Sequence, residues 1–224
     1  MPSTMWTMIS QARNGGREAV ETLLRKYRPP VLAFVRNAVG NAEDAEDLVQ
    51  NAFLALIEVE VLAKADKARG KFRSLLLAVT RHTISAARRS EGRVKRGGDF
   101  VQHRLDPGGE GRPRFEDLLA APQEEEGFDR LWIQNLVRIG MNRLREECEK
   151  DGTPHFQALF LATNDGLGYD EVGARLALSL TDVKNVIHQA RVRLKRFVLR
   201  EVQEYASSRA EYESEIAYLM TFLA

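Results

Sequence analysis

The chain has one cysteine, Cys148, and therefore no internal disulfide and no thiolate metal cluster; a lone thiol suits a reducing compartment. It has no apolar run of membrane-spanning length, and its N-terminus, MPSTMWTMIS, lacks the charged-then-apolar order of a secretory signal. Both absences predict a cytoplasmic protein with no membrane insertion. An excess of one charge is missing as well: 33 Lys and Arg stand against 32 Asp and Glu. Net charge thus says nothing about a polyanionic partner, and only the distribution of charge can. Alternation of apolar and polar residues never persists, and Gly-bounded β-branched runs are lacking, which argues against strands. There is no internal repeat, no Gly-rich phosphate loop, no nucleophile beside a base and no ligand cluster. No catalytic residue, metal site or cofactor is expected, and the chain does not read as an enzyme.

What is present is helical periodicity over 224 residues, enough for one or two domains with a core of their own. Trp6, Ile9 and Ala12 open a first helix, interrupted at Asn14-Gly15-Gly16. Ala19, Leu23, Leu24 and Tyr27 give a second stripe that Pro29-Pro30 should break, and Val31, Phe34, Val35 and Ala38 a third that stops near Gly40. From Ala42 to Glu58, with a possible run-on through Val61 and Leu62, the apolar face is Ala45, Leu48, Val49, Ala52, Phe53 and Leu56. Asn41 stands at the N-cap, and acids fill the first turn, where the macrodipole favours them. The opposite side carries Asp47, Gln50, Asn51 and Leu54 on one strip, either solvated surface or a docking face for another protein.

A charged link, Lys64 to Gly70, leads to a helix from about Phe72 to Ser90, with Leu75, Leu76, Val79, Thr83 and Ala86 or Ala87 inward. Its end carries Arg88, Arg89, Arg93, Lys95 and Arg96 against one acid, Glu91. Five bases in nine residues exceed what capping of a helix C-terminus requires, which favours a phosphate-binding patch. From Asp99 onward Pro and Gly dissolve the pattern, marking a linker. Periodicity resumes near Phe128 with Leu131, Trp132, Leu136, Ile139, Leu144 and Cys148, followed by a short helix through Phe156, Leu159, Phe160 and Thr163. The fold class is all-α: two small helical domains joined by a linker, with a C-terminal helical extension. The predicted boundaries are 1–98, linker 99–127, 128–204 and extension 205–224.

The segment YDEVGARLALSLTDVKNVIHQARVRLKRF has the form of a helix-turn-helix. Val172 and Leu176 bury its first helix, Leu178 plugs the turn, Ser179 or Thr181 caps the second helix, and Val183 and Ile187 bury it. The outer face of the second helix begins with Thr181, Asp182, Lys184, Asn185, His188 and Gln189 and continues through Arg191, Arg193, Lys195, Arg196 and Arg200. Small polar and amide side chains at such a start reach base edges in a major groove, and the bases that follow suit phosphates. His188 has no second ligand near it, so it is not read as a metal site.

The order of these parts resembles the extracytoplasmic-function (ECF) class of bacterial RNA polymerase sigma factors. DAEDLVQNAFLAL is similar to that family's region 2.2, GKFRSLLLAVTRHTISAARR to regions 2.3 and 2.4, and LGYDEVGARLALSLTDVKNVIHQARVRLKRF to region 4.2. TMWTMI, KRGG at 95–98 and FDRLW at 128–132 further resemble a branch common in planctomycetes. The resemblance implies a transcription initiation factor that docks on core polymerase and directs it to promoter DNA. Asp44, Glu46, Asp47, Gln50 and Leu54 would meet the β′ clamp helices. Phe72, Arg73, Arg81, His82, Arg88, Arg89, Lys95 and Arg96 would engage and open the −10 element. Thr181, Asp182, Lys184, Asn185, His188, Gln189, Arg191, Arg193 and Lys195 would read the −35 element, and Phe156 to Thr163 would help meet the β flap. An anti-sigma protein, a regulatory kinase or the C-terminal extension are the control routes that the family leaves open.

The chain departs from the family pattern at Leu75, where a tryptophan is common, at His82 and Ala86, where asparagine and aspartate are common, and at Ala177, often a glycine. Beyond Tyr205 an acidic segment with an apolar stripe at Ile216, Leu219, Met220 and Leu223 predicts a helix. It either folds back on the second domain, limiting access to the basic face, or completes a core. The alternative to a sigma factor is a helix-turn-helix transcriptional regulator with an N-terminal effector or oligomerisation domain, which leaves the basic helix at 72–96 unexplained.

Overall fold

A computed structural model describes residues 11, 14, 16–58, 72–94, 122–206 and 208–223, and among these every regular element is a helix. The run-on through Val61 and Leu62, the bases Lys95 and Arg96, and residues 99–121 of the expected linker lie outside the described residues.

Helix α1, Arg17–Val39, is continuous through Pro29 and Pro30, where the sequence predicted a break. Two prolines remove two backbone donors and crowd the preceding turn, a cost of several kcal/mol in isolation. One unbroken buried face offsets it: Leu23, Tyr27, Pro30, Val31 and Val35 all point inward, against α2 and α3. The helix stops at Gly40, whose positive φ of 74° lets its N–H return to the Arg36 carbonyl at 3.1 Å. Helix α2, Ala42–Glu58, follows at once. Asn41 caps it as predicted, its Oδ1 accepting the Glu43 N–H at 3.1 Å. All six apolar positions expected on its inner face are buried.

Helix α3, Phe72–Val94, is buried on more than one side. Besides Leu75, Leu76 and Val79, it also buries Phe72, Arg73, Leu77, Ala78, Thr80 and Ile84. The Thr80 hydroxyl donates to the Leu76 carbonyl at 2.7 Å, which satisfies a polar group that would otherwise be stranded.

Helix α4, Pro122–Asp151, starts before the expected Phe128. Pro122 is suited to a first helical position because its missing N–H has no intrahelical acceptor there, and the acids after it suit the positive end of the dipole. The remaining elements are α5, His155–Thr163; α6, Tyr169–Leu176; α7, Leu180–Tyr205; and α8, Arg209–Leu223.

These helices form two compact units that do not follow the boundaries read from the sequence. The first takes in Met1–Ile133 together with Tyr205–Ala224, and the second Gln134–Glu204. The first unit is built around Trp132, which is fully buried. Tyr27 stacks on it at 5.0 Å, Phe72 and Phe128 lie at 6.1 Å, and Tyr205 meets it edge-on at 5.6 Å. Aromatic pairs of this geometry add about 0.5–1.5 kcal/mol each beyond area burial, so this cluster is a principal fastening of the unit.

Beside it lies a buried ionic group. Arg73 on α3 contacts Asp129 on α4 and Glu215 on α8, the latter at 3.1 Å, with all three side chains at most 4% exposed. The Tyr205 hydroxyl donates to Glu215 at 3.2 Å, and the Tyr218 hydroxyl donates to Asp129. The extension past residue 205 therefore spends its inward face on the first unit. Among the residues expected to form its apolar stripe, Leu219 is buried, Ile216 half-buried and Met220 43% exposed.

The second unit encloses Leu144, Cys148, Ala158, Leu159, Val172, Val183, Ile187, Ala190 and Phe197. Gly140 allows α4 and α7 to approach closely, because a Cβ there would lie 2.9 Å from Leu194 Cδ1 and 3.1 Å from Val198 Cγ2.

Candidate nucleic-acid interface and docking face

The helix-turn-helix forms as the sequence predicts. Helix α6 opens with the Gly168 N–H donating to Glu171 Oε2 at 2.8 Å, and Val172 is fully buried. At Gly173 the chain passes so close to the turn that a Cβ would lie 2.8 Å from the Leu178 carbonyl oxygen, so only glycine fits without a shift. The turn itself places Ala177 in the left-handed region, φ 54° and ψ 43°, a conformation that glycine adopts without strain. Ser179, not Thr181, caps α7: its Oγ accepts the Asp182 N–H at 3.2 Å and donates to the Asp182 carboxylate at 2.6 Å. Asp182 is thereby held in the first turn, where its charge favours the helix.

With Val183 and Ile187 anchored in the core, Thr181, Asp182, Lys184, Asn185, His188, Gln189 and Arg191 all lie exposed along one side of α7, and Lys195 is exposed further on. Several of these side chains have partners invisible in the sequence. Gln189 Oε1 lies 2.8 Å from His155 Nε2. Arg196 makes two 2.9 Å contacts to the Glu147 carboxylate, and half-buried Arg193 stands 4.0 Å from Asp151. The acids on α4 therefore take up part of the positive charge that the sequence assigned wholly to α7. Lys184, Arg191, Lys195 and Arg200 remain exposed and form no ion pair with another described residue. On α5, Phe156 and Phe160 pack at 5.7 Å, and Phe160 is 38% exposed.

The basic helix α3 divides into two parts. Phe72 is fully enclosed and Arg73 is engaged by Asp129 and Glu215, so neither presents a surface to DNA in this structure, against the expectation for both. The reason is position: the first turn of α3 lies at the aromatic and ionic centre of the first unit. Arg81 and His82 are half-buried. Burial, and secondarily the charge of Arg89, lower the His82 imidazole below its usual pKa and favour its neutral form. Arg88 donates to the Ala38 carbonyl at 2.6 Å, capping the C-terminal end of α1, and Arg89 is exposed.

On α2, Asp47, Gln50 and Asn51 are exposed and Leu54 is 52% exposed, so the strip stands clear as predicted. Asp44 is also exposed and accepts from Asn41 Nδ2 at 2.9 Å. Glu46 behaves differently: it contacts Arg28, and Arg36 at 3.2 Å, fastening α2 to α1. Sequence reasoning also missed His155 and Glu147, which act on α7 from 34 and 49 residues away, distances at which no periodic signal carries. No group of three His, Cys, Asp or Glu side chains among the described residues could hold a metal ion, and no helix among them is long and apolar enough to cross a membrane.

The family model for the ECF sigma factor matches residues 2–199. Over 189 residues the chain is 24% identical to the ECF RNA polymerase sigma factor SigE of Mycolicibacterium smegmatis, covering 84% of this chain and 65% of that one. It therefore spans just under two thirds of SigE's length. It is 23% identical over 190 residues to the RNA polymerase sigma factor YlaC of Bacillus subtilis, covering 84% of this chain and 96% of that one. With every regular element among the described residues a helix, a helix-turn-helix at 169–205 and a family match over residues 2–199, the chain belongs to the ECF sigma factor family.

Proposed function

We propose that this protein is a sigma factor: it docks on bacterial core RNA polymerase, directs it to promoter DNA and acts in the cytoplasm without catalysis of its own. The observation that carries the reading is the exposed polar start of α7, from Thr181 to Gln189, with exposed bases after it, in a chain that belongs to this family. Those residues read the −35 element as duplex, and Lys184, Arg191 and Lys195 meet phosphates. The exposed strip Asp47, Gln50 and Leu54 on α2, with Asp44 beside it, docks on the β′ clamp helices. Its acid pairs with bases there to set register and association rate. Phe160 on α5 supports a contact with the β flap.

For the −10 element the support narrows to the later part of α3, where Arg81, His82, Arg88 and Arg89 reach at least partly to the surface. Stretches of single strand are held by bases that track phosphates. The first unit serves core docking and the −10 element, and the second unit, Gln134–Glu204, the −35 element. The short motifs TMWTMI, KRGG and FDRLW support placement in the planctomycete-type branch.

Run-off transcription with purified core polymerase and genomic fragments tests the reading. A promoter-specific transcript that depends on this chain is the expected result. A folded protein that neither binds core polymerase nor yields a transcript refutes it. Asp47→Arg should reduce core binding while folding persists. A stand-alone helix-turn-helix regulator would be indifferent to that substitution.

A further inference from the structure

We propose that His155 is a positioning residue for sequence discrimination: it fixes the amide of Gln189 so that the NH2 group faces the DNA. The proposal rests on the reading of α7 as a duplex-reading helix.

Gln189 is exposed on the outer face of α7, whereas His155, the first residue of α5, is 8% exposed. The two meet at 2.8 Å between His155 Nε2 and Gln189 Oε1. The other ring nitrogen, Nδ1, is buried and has no hydrogen-bond partner among the described residues. That asymmetry selects the tautomer. With the proton on Nε2, the ring donates to Gln189 Oε1 and leaves Nδ1 as a bare acceptor. With the proton on Nδ1, a buried N–H donor would have nowhere to go and the amide would have to turn over. Orphaned buried N–H groups are the rarer of the two defects. The ring therefore donates, and the Gln189 NH2 points away from it.

An unrestrained glutamine presents either end of its amide and pairs with adenine through both. Gln189 held by His155 presents two donors outward and has one lone pair of Oε1 already engaged. Such a group favours acceptor edges: guanine N7 and O6, thymine O4 or adenine N7. It is also ordered before DNA arrives, so less side-chain freedom is lost on binding. Nothing in the spacing of α5 and α7 along the chain indicates this partnership.

The test uses the full chain assembled with core polymerase on a promoter library randomised through the upstream element, with transcripts sequenced. Gln189→Ala should abolish the preference at one base pair. His155→Leu should weaken discrimination at that same base pair about three- to tenfold, the worth of one hydrogen bond. His155→Gln, which restores a donor amide, should recover most of it, and His155→Leu should add nothing in the Gln189→Ala background. A preference unmoved by Gln189→Ala or by His155→Leu overturns the proposal. So does a His155→Leu effect spread evenly over all sequences, or one undiminished in the Gln189→Ala background, since either marks a merely structural role. A wild-type chain that drives no transcription overturns the reading of α7 itself; a clear wild-type preference indifferent to His155 overturns the proposal alone.

Discussion

Replacing Arg73 with methionine removes the guanidinium that bridges Asp129 and Glu215 while keeping an apolar stem of similar reach. Asp129 and Glu215, 3% and 0% exposed, would then both lose the guanidinium they share. Two hydroxyls, from Tyr218 and Tyr205, would still donate to them, but hydrogen bonds do not supply the missing charge. Breaking a buried pair from one side costs about 3–5 kcal/mol, because the remaining charge stays desolvated. At a urea dependence of about 1–3 kcal/mol/M, the midpoint of the first unit falls by about 1–5 M. Trp132 sits in the adjoining cluster and reports this unit by fluorescence once the other tryptophan, Trp6, is changed to phenylalanine. Glu215→Gln leaves Arg73 with Asp129 and should cost less, about 1–2 kcal/mol. The order of the two variants is the diagnostic. If Arg73→Met shifts stability by less than about 1 kcal/mol, the value of an exposed pair, the group is not the desolvated fastening its geometry describes.

Ala177→Gly should stabilise the second unit by about 0.5–1 kcal/mol, because an exposed alanine there holds a left-handed conformation that glycine adopts freely; thermal melts check it. Gly173→Ala should do the opposite, by more than 1 kcal/mol, since its Cβ would meet a backbone oxygen at 2.8 Å; a variant as stable as wild type would contradict that contact. Ser179→Ala removes the cap of α7 and should cost about 1 kcal/mol in chemical denaturation. Burial, and next the charge of Glu215, push the Tyr205 phenol well above its ordinary 10.0, so the native state keeps its proton when the unfolded chain has released it. The stability this gives is complete below pH 10 and declines as pH rises above it, by up to about 1.4 kcal/mol per pH unit; in Tyr205→Phe the part of the slope due to this group should vanish.

Helical periodicity made most of the fold legible. The inner faces of α2 and α7 are the residues their spacing indicates, and the turn between α6 and α7 follows from Leu178 and Ser179. The run through Pro29-Pro30 was not legible, because local rules count the lost donors but not the packing on both sides of them. The exposed strip on α2 and the polar face of α7 were legible as faces. Their partners were not: Glu46 with Arg28, Arg196 with Glu147 and Gln189 with His155 join separate helices.

Arg73 shows where such reading fails for a physical reason. An arginine at the start of a basic helix looks the same in sequence whether it faces phosphate or a buried carboxylate, since guanidinium suits both. What separates the two is the presence of a desolvated anion, and here the anions come from α4 and α8, more than 50 residues away along the chain. The same fact explains why the apolar stripe expected on α8 is only partly its inner face. A helix oriented by apolar residues alone would bury Met220 and expose Glu215. This one buries Glu215 completely and leaves Met220 43% exposed, because a buried guanidinium already neighbouring one carboxylate gives a second a favourable place. The polar contacts of Glu215 with Arg73 and Tyr205 thus share in orienting α8, and Arg73→Met should loosen α8 before it unfolds α1 to α3. Amide exchange along Arg209–Leu223 that stays as slow as in wild type would contradict this.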